Sequence, residues 1–139
     1  MEIRFQSSPK EVRGMCTEEL RSNFLIPQLM KKDELTLVYS HYDRVIIGGV
    51  KPVSGKVILA NEAELRADYF LERRELGIIN VSGAGTVEAD GVSYELNKLD
   101  AVYLGKGTKE VSFSSKSATD PACFFLMSTT AHHSYPNRK

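Results

Sequence analysis

Residues 68–113 read DYFLERRELGIINVSGAGTVEADGVSYELNKLDAVYLGKGTKEVSF. Asp90-Gly91 separates two segments of alternating apolar and polar residues, which predicts a type I′ hairpin because Asp and Gly tolerate the positive φ that this turn needs. Further turn signals lie at Gly83-Ala84-Gly85 and Gly105-Lys106-Gly107. Turns at intervals of about 8 to 12 residues are typical of a β-sandwich or barrel, so the stretch predicts an all-β fold.

The strand pattern continues on both sides of this stretch. Runs rich in β-branched, aromatic and apolar residues, bounded by turn residues, predict short strands. Gly48-Gly49 inside one of them indicates a bulge or a close backbone approach. The predicted strands are Leu35–Ser40, Arg44–Val50, Lys56–Leu59, Tyr69–Glu72, Gly77–Val81, Gly85–Ala89, Val92–Leu96, Ala101–Leu104, Glu110–Ser114 and Ala122–Met127.

Short helices are predicted before the first strand. Ser8-Pro9-Lys10-Glu11 combines an N-cap, a proline at the first helical position and an acid at N3. Thr17-Glu18-Glu19-Leu20 offers a second N-cap with acids in the first turn. Asn61 and Glu64 have capping-box spacing and predict one further helical turn.

Length and composition predict an ordinary globular domain. The 139 residues are 42% hydrophobic and 26% charged, and 18 Lys and Arg balance 18 Asp and Glu. A net charge of zero gives no global field toward nucleic acid or an anionic membrane. No apolar run is long enough to span a bilayer, and the N-terminus has no signal-peptide pattern. With only two distant cysteines, expected to be reduced, the predicted location is the cytoplasm.

The strand pattern between the glycines resembles that of the cupins, which are small jelly-roll barrels. Their first motif carries two His at i and i+2 and a later Glu, and their second carries a further His. Overlaying these motifs places Tyr69 and Leu71 on the paired His, Glu75 on the Glu, and Glu110 on the last His. Two carboxylates without imidazole make a poor site for Zn²⁺, so no metal is expected within residues 1–139.

A closer resemblance covers most of the chain. Residues 39–49 (YSHYDRVIIGG), 69–77 (YFLERRELG), 90–91 and 105–111 (GKGTKEV) are similar to the N-terminal half of the 5-keto-4-deoxyuronate isomerases. These enzymes are also called 4-deoxy-L-threo-5-hexosulose-uronate ketol-isomerases. The resemblance implies a cupin-type jelly roll in which residues 1–34 form a helical or extended arm, 35–128 the barrel, and 129–139 the start of a linker to a second barrel.

The resemblance also implies a function for the intact family protein. It implies a hexameric enzyme of pectin and uronate breakdown, in which three His and one Glu of the second barrel hold zinc. The implied reaction is an aldose–ketose isomerisation through an enediol, with a uronate-derived small molecule as substrate. The 139-residue segment is then expected to be an inactive scaffold that contacts the second barrel. Two alternatives remain open: a metal-free sugar-acid binding module, and a pure oligomerisation domain.

Candidate contact residues fall in three places. His41 and Asp43 share strand parity and would form a His–carboxylate pair, or else belong to a turn at a strand end. Arg73, Arg74 and Glu75 lie in a charged run that would hold a uronate carboxylate through an arginine fork, or else form an ion-pair network at a subunit contact.

The third place follows the glycines at 105 and 107. Lys106 and Glu110 would belong to a mobile loop facing substrate, or else to a solvated turn. Tyr94 and Tyr103 are interpreted as core or interface aromatics rather than catalytic acids.

Overall fold

Ten strands form two sheets whose inner faces share one core. The computed structural model describes residues Met1–Lys139. Apart from β1, which runs parallel to β2, the paired strands are antiparallel. The larger sheet has the order β1-β2-β3-β10-β5-β8 and the smaller one the order β4-β9-β6-β7. The strands are β1 (Glu2–Arg4), β2 (Leu35–Ser40), β3 (Val45–Val50), β4 (Val57–Ile58), β5 (Arg74–Asn80), β6 (Gly85–Ala89), β7 (Val92–Leu96), β8 (Ala101–Leu104), β9 (Val111–Ser115) and β10 (Phe124–Thr130).

Period-two alternation divides each strand between the core and the outside. The inner residues of β5 are buried while Gly77 and Ile79 are exposed. The rings of Phe113 on β9 and Phe124 on β10 lie 5.6 Å apart and join the two sheets. Full burial of such a side chain contributes about 1.5–3 kcal/mol, so the shared apolar core holds the sheets together. The all-β prediction is confirmed.

The hairpin prediction at Asp90-Gly91 is also confirmed. The φ angles are 47° at Asp90 and 79° at Gly91, and β6 and β7 on either side have the predicted bounds. Both central residues of a type I′ turn need positive φ, which Gly adopts freely and Asp adopts more readily than most residues. This turn is therefore determined locally by the sequence.

The sequence predicts either a bulge or a close backbone approach at Gly48-Gly49, and the structure shows the close approach. Register with β2 is continuous through both residues, so no bulge forms there. A Cβ at Gly49 would lie 2.7 Å from both Cγ and the carbonyl oxygen of Leu29. The missing side chain therefore lets the segment that follows the N-terminal helices lie directly on β3.

The N-terminal helices α1 (Pro9–Val12) and α2 (Thr17–Phe24) form where they were predicted. In α1 the Ser8 N–H donates to Glu11 at 2.6 Å, while the Glu11 N–H donates to the Ser8 hydroxyl at 3.3 Å. In α2 the N-cap residue is Cys16 rather than the predicted Thr17, and the Cys16 N–H donates to the Glu19 carboxylate at 2.7 Å. The predicted helical turn near Asn61 is a 3-10 turn at Ala63–Leu65. No helix is both long and apolar enough to cross a membrane.

The predicted strand Tyr69–Glu72 is wrong. These residues form a turn in which the Glu72 N–H donates to the Tyr69 carbonyl at 3.1 Å, and β5 begins only at Arg74. The apolar character that suggested a strand reflects burial, because Phe70 and Leu71 are core residues. The Leu71 carbonyl accepts from the Gly107 N–H at 2.9 Å, so a loop supplies the partner that a neighbouring strand would have supplied.

The residues after position 128 do not form a free tail. Thr129 and Thr130 complete β10. Arg138 then pairs antiparallel with Tyr103, with N–H to O distances of 2.8 and 2.9 Å. The side-chain carbonyl of Asn137 accepts from the Gly105 N–H at 2.8 Å, so the C-terminal residues lie along the free edge of β8.

Candidate functional site

The inner face of the barrel does not present the carboxylate that the motif overlay places there. On β5, Arg74 and Leu76 are buried inward, whereas Glu75 lies on the outer face and accepts a hydrogen bond of 2.8 Å from the Tyr103 hydroxyl. A shift of one residue in a strand moves a side chain to the opposite face. The overlay is therefore wrong at Glu75.

The other overlaid positions do not fit zinc either. Tyr69 and Leu71 lie in a turn and carry no metal-ligating side chain of the kind zinc prefers. Glu110 is exposed, and its N–H donates to Asp90 at 2.9 Å, which fixes the backbone before β9. No group of three or more His, Cys, Asp or Glu side chains lies close enough to hold an ion. The overlaid positions therefore do not bring four zinc-ligating side chains together.

A cavity of about 490 Å³ lies where β2 and β10 end and β5 begins. We call it the Arg74 pocket. Its charged and polar lining residues are Tyr39, His41, Arg44, Glu64, Arg73, Arg74 and Thr130.

Arg74 is the buried charge of this pocket, with 5% of its surface exposed. Its Nε donates to the Ser128 hydroxyl at 3.1 Å, and its Nη2 donates to the carbonyls of Ser128 at 2.9 Å and Arg44 at 2.6 Å. The guanidinium carbon lies 5.8 Å from the centre of the Tyr39 ring. Burial lowers the Arg74 pKa, and the interaction with Tyr39 opposes that shift. No carboxylate forms an ion pair with Arg74.

His41 and Asp43 lie in the turn between β2 and β3 and form no ion pair with each other. Asp43 and Arg44 are its central residues, with φ of 54° and 55°, and the Val45 N–H closes it onto the Tyr42 carbonyl at 3.4 Å. His41 and Asp43 therefore belong to a turn at the end of β2 rather than to a His–carboxylate pair. The His41 ring stacks on Phe5, with centroids 4.7 Å apart and planes 9° apart, which holds the imidazole at the pocket wall.

Arg73 is exposed beside its buried neighbour. Its Nη2 donates to the carbonyls of Leu65, at 3.4 Å, and Arg66, and its Nε lies 3.9 Å from the Glu72 carboxylate. The guanidinium therefore ties the segment around the 3-10 turn to the start of β5 and leaves its outer side to solvent.

Of the seven candidate residues, the Arg74 pocket brings together His41, Arg73 and Arg74. The other four do not line it: Asp43, Glu75, Lys106 and Glu110. Sequence reasoning missed Tyr39, Arg44, Glu64 and Thr130. The strand parity of Tyr39 with His41 was an available signal for the first, whereas the others are brought in by the turn, the 3-10 segment and the end of β10.

Several known proteins are similar to this chain over nearly its whole length. No protein-family model matches it. It is 51% identical over 136 residues to a protein of Lachnoclostridium phytofermentans and 50% identical over 138 residues to one of Formosa agariphila, both named 4-deoxy-L-threo-5-hexosulose-uronate ketol-isomerase. These matches cover 98% and 99% of this chain and 49% of each relative. The chain thus spans about half the length of the curated relatives it matches.

Solved structures agree with the fold. The cupin domain of Schizosaccharomyces pombe Cnp3 superposes with a TM-score of 0.52 at 10% identity, over 70% of this chain and 64% of that one. The capsular polysaccharide assembling protein CapF of Staphylococcus aureus gives a TM-score of 0.51 at 14% identity, over 95% of this chain and 39% of that one. At such identities the likeness concerns the fold alone. The chain has a cupin-type fold and, over nearly its whole length, is similar to about half the length of the proteins named 4-deoxy-L-threo-5-hexosulose-uronate ketol-isomerase.

Proposed function

We propose that this chain is the N-terminal scaffold barrel of a uronate ketol-isomerase. Identity of about half over nearly the whole chain to proteins of that name supports the family assignment. The overlaid ligand positions, which hold Tyr69, Leu71, an outward Glu75 and an exposed Glu110, support a role without a metal of its own. The residues at these ligand positions are the observation on which the scaffold role rests.

The intact protein would convert 5-dehydro-4-deoxy-D-glucuronate to 3-deoxy-D-glycero-2,5-hexodiulosonate in pectin and uronate degradation in the cytoplasm. Zinc, bound by the second barrel, would polarise the substrate carbonyl and stabilise an enediolate. No proton-transfer role is assigned to residues 1–139. On this proposal the segment alone is inactive, and its partners are the second barrel and further copies in a homohexamer.

The outer face of the larger sheet supports such a packing role. Register aligns Ile47, Met127, Gly77 and Tyr103 in one row across β3, β10, β5 and β8, and Gly49, Phe125, Ile79 and Ala101 in the next. Met127 is 50% exposed and Ile79 is 41% exposed. Leu29 covers Gly49 at one end of the second row, whereas Met127 and Ile79 leave apolar surface exposed, and an exposed apolar patch marks an interaction surface. We call these two rows the outer sheet face.

Zinc content and isomerase turnover of the purified 139-residue protein test the proposal. We expect substoichiometric zinc and no turnover, while a full-length relative measured in parallel shows both. Stoichiometric zinc together with robust turnover by the 139-residue chain would overturn the scaffold role.

A metal-free sugar-acid binding module is a second candidate, favoured by the positively charged Arg74 pocket. Lys106, a candidate contact residue of the sequence analysis, lies outside that pocket. A pure oligomerisation domain differs from the binding module in binding no ligand. Calorimetric titration with galacturonate separates the binding module from the oligomerisation domain, because only the binding module releases or absorbs heat beyond that of dilution.

A further inference from the structure

Arg74 is a buried cation without an acidic partner. Arginine is almost never fully buried unless it is paired. Here the neighbours that hold the guanidinium are neutral: the Ser128 hydroxyl and two backbone carbonyls. Removing a cation from water is costly, and the attraction of an opposite charge normally offsets that cost. The fold therefore holds a positive charge ready for an anion.

The hydrogen bonds of Arg74 also leave one side of its fork free. Nε and Nη2 make all three of its hydrogen bonds, and Nη1 has no acceptor on the protein. Because a guanidinium is planar, fixing two of its nitrogens also fixes the direction of the third. Arg74 lines the cavity, so its remaining donors are available to a molecule that enters there.

The charges around the cavity favour an anion. Arg44, Arg73 and Arg74 line it, and Glu64 is its sole acidic lining residue. The chain as a whole has a net charge of zero, so this excess is local. Neighbouring positive groups in a partly enclosed site concentrate the field and attract anions of small size.

The rest of the wall suits an organic ligand rather than a bare ion. Tyr39, Phe70 and Leu65 contribute aromatic and aliphatic surface, and the stacked His41 adds a polar ring edge. The volume of about 490 Å³ falls within the roughly 300–1,000 Å³ of small-molecule sites, which combine apolar walls with a few placed polar groups.

We propose that the Arg74 pocket binds the carboxylate of a small organic acid of sugar-acid size, with Arg74 as the buried anchor and Arg44 as a second cation at the rim. The ligand would accept from Nη1 of Arg74 and lie against Tyr39 and His41. This proposal rests on the second candidate function, the sugar-acid binding module, and specifies its binding site. The probe is galacturonate in both cases. The proposal is independent of the scaffold role, which zinc content and turnover measure separately.

Titration calorimetry of the 139-residue protein with galacturonate, galactose and inorganic phosphate tests the site. Galactose has the same ring without the carboxylate, and phosphate has charge without the ring. We expect galacturonate to bind at least tenfold more tightly than either. Equal binding of galactose or phosphate, or no binding of galacturonate at about 50 mM, which lies well beyond the millimolar affinity of a weak site, would overturn the proposal.

Variants assign the binding to this cavity. Arg74→Met should abolish galacturonate binding, but it also removes bonds that hold the fold. Arg44→Met keeps the backbone carbonyl that positions Arg74, so it removes a rim charge and leaves the anchor in place. It should weaken galacturonate binding about threefold to tenfold with an unchanged unfolding midpoint. Lys106→Met, outside the cavity, is the matched control. Unchanged affinity in a folded Arg44→Met variant, or an equal loss in Lys106→Met, would overturn the assignment.

Discussion

The Tyr103 hydroxyl donates a hydrogen bond of 2.8 Å to the Glu75 carboxylate, which joins β8 to β5 on the outer sheet face. Burial, and then the bond to Glu75, raises the pKa of Tyr103 to about 12. Ionising this phenol would place a second negative charge beside a carboxylate. The contact therefore requires a neutral Tyr103.

This pair predicts a loss of stability at alkaline pH. The pKa of this tyrosine is the ordinary 10.0 in the unfolded chain and about 12 in the folded protein. The stabilisation is complete below the lower value and is lost as pH rises through the upper one, because the unfolded state then binds fewer protons. Urea unfolding at about pH 9 and about pH 11, on either side of the ordinary tyrosine value, should show a smaller pH dependence in Tyr103→Phe than in wild type. Tyr94→Phe is the control, and an equal reduction there would contradict the prediction.

Adjacent arginines should differ sharply in their contribution to stability. Arg74→Met removes the guanidinium that donates to the carbonyls of Ser128 and Arg44. Leaving a buried acceptor without its donor costs about 1–3 kcal/mol. Arg73→Met removes exposed hydrogen bonds to the Leu65 and Arg66 carbonyls, which water can replace. It should therefore change the free energy of unfolding by about 0.5 kcal/mol or less, as is usual for surface substitutions. Chemical denaturation of both variants measures the difference. Comparable losses would show that burial at position 74 does not set its energetic role.

Gly49 should not tolerate a side chain. Its added Cβ would lie 2.7 Å from the backbone oxygen of Leu29, so Gly49→Ala must displace either the arm or β3. Overpacking of this kind costs about 1–3 kcal/mol. Gly55→Ala is the matched control, since nothing lies within 4 Å of its Cβ and its φ is not positive. The unfolding midpoint in urea should fall for Gly49→Ala alone, and faster proteolysis of the arm should accompany it.

The outer sheet face predicts association that a single charge disrupts. Met127→Lys places a cation in the middle of the apolar rows, where an interface would have to desolvate it. Val92→Lys makes the same change on the smaller sheet, at a residue that is 54% exposed. Light scattering at increasing protein concentration should show self-association of wild type and Val92→Lys, and less of it for Met127→Lys. A strictly monomeric wild-type chain at high concentration would argue against this face as an interface.

Local signals in the sequence predict much of this fold. Asp90-Gly91 fixes its hairpin because the φ requirement lies in the two residues themselves. Ser8 and Glu11 fix the start of α1 for the same reason, through a reciprocal contact across one helical turn. In contrast, β1 at Glu2–Arg4 has no local signal, since it exists only by pairing in parallel with β2.

The candidate site is less predictable, because it depends on parity and on distant segments. Because Tyr69–Glu72 form a turn, β5 begins only at Arg74. In this strand the Arg74 side chain lies on the inner face and the Glu75 side chain on the outer face. Sequence reasoning found both residues but could not assign their faces. Arg44 and Thr130 reach the same cavity from separate parts of the chain, and no spacing within the sequence encodes that meeting.

The pairing of Arg138 with Tyr103 has a consequence for the behaviour of the protein in solution. β8 ends its sheet, and an uncovered end strand offers its free amides and carbonyls as a template for other chains. Arg138 pairs with the N–H and the carbonyl of Tyr103, and Asn137 accepts from the N–H of Gly105. By covering this edge, a short polar segment with little core of its own protects the barrel against edge-to-edge aggregation.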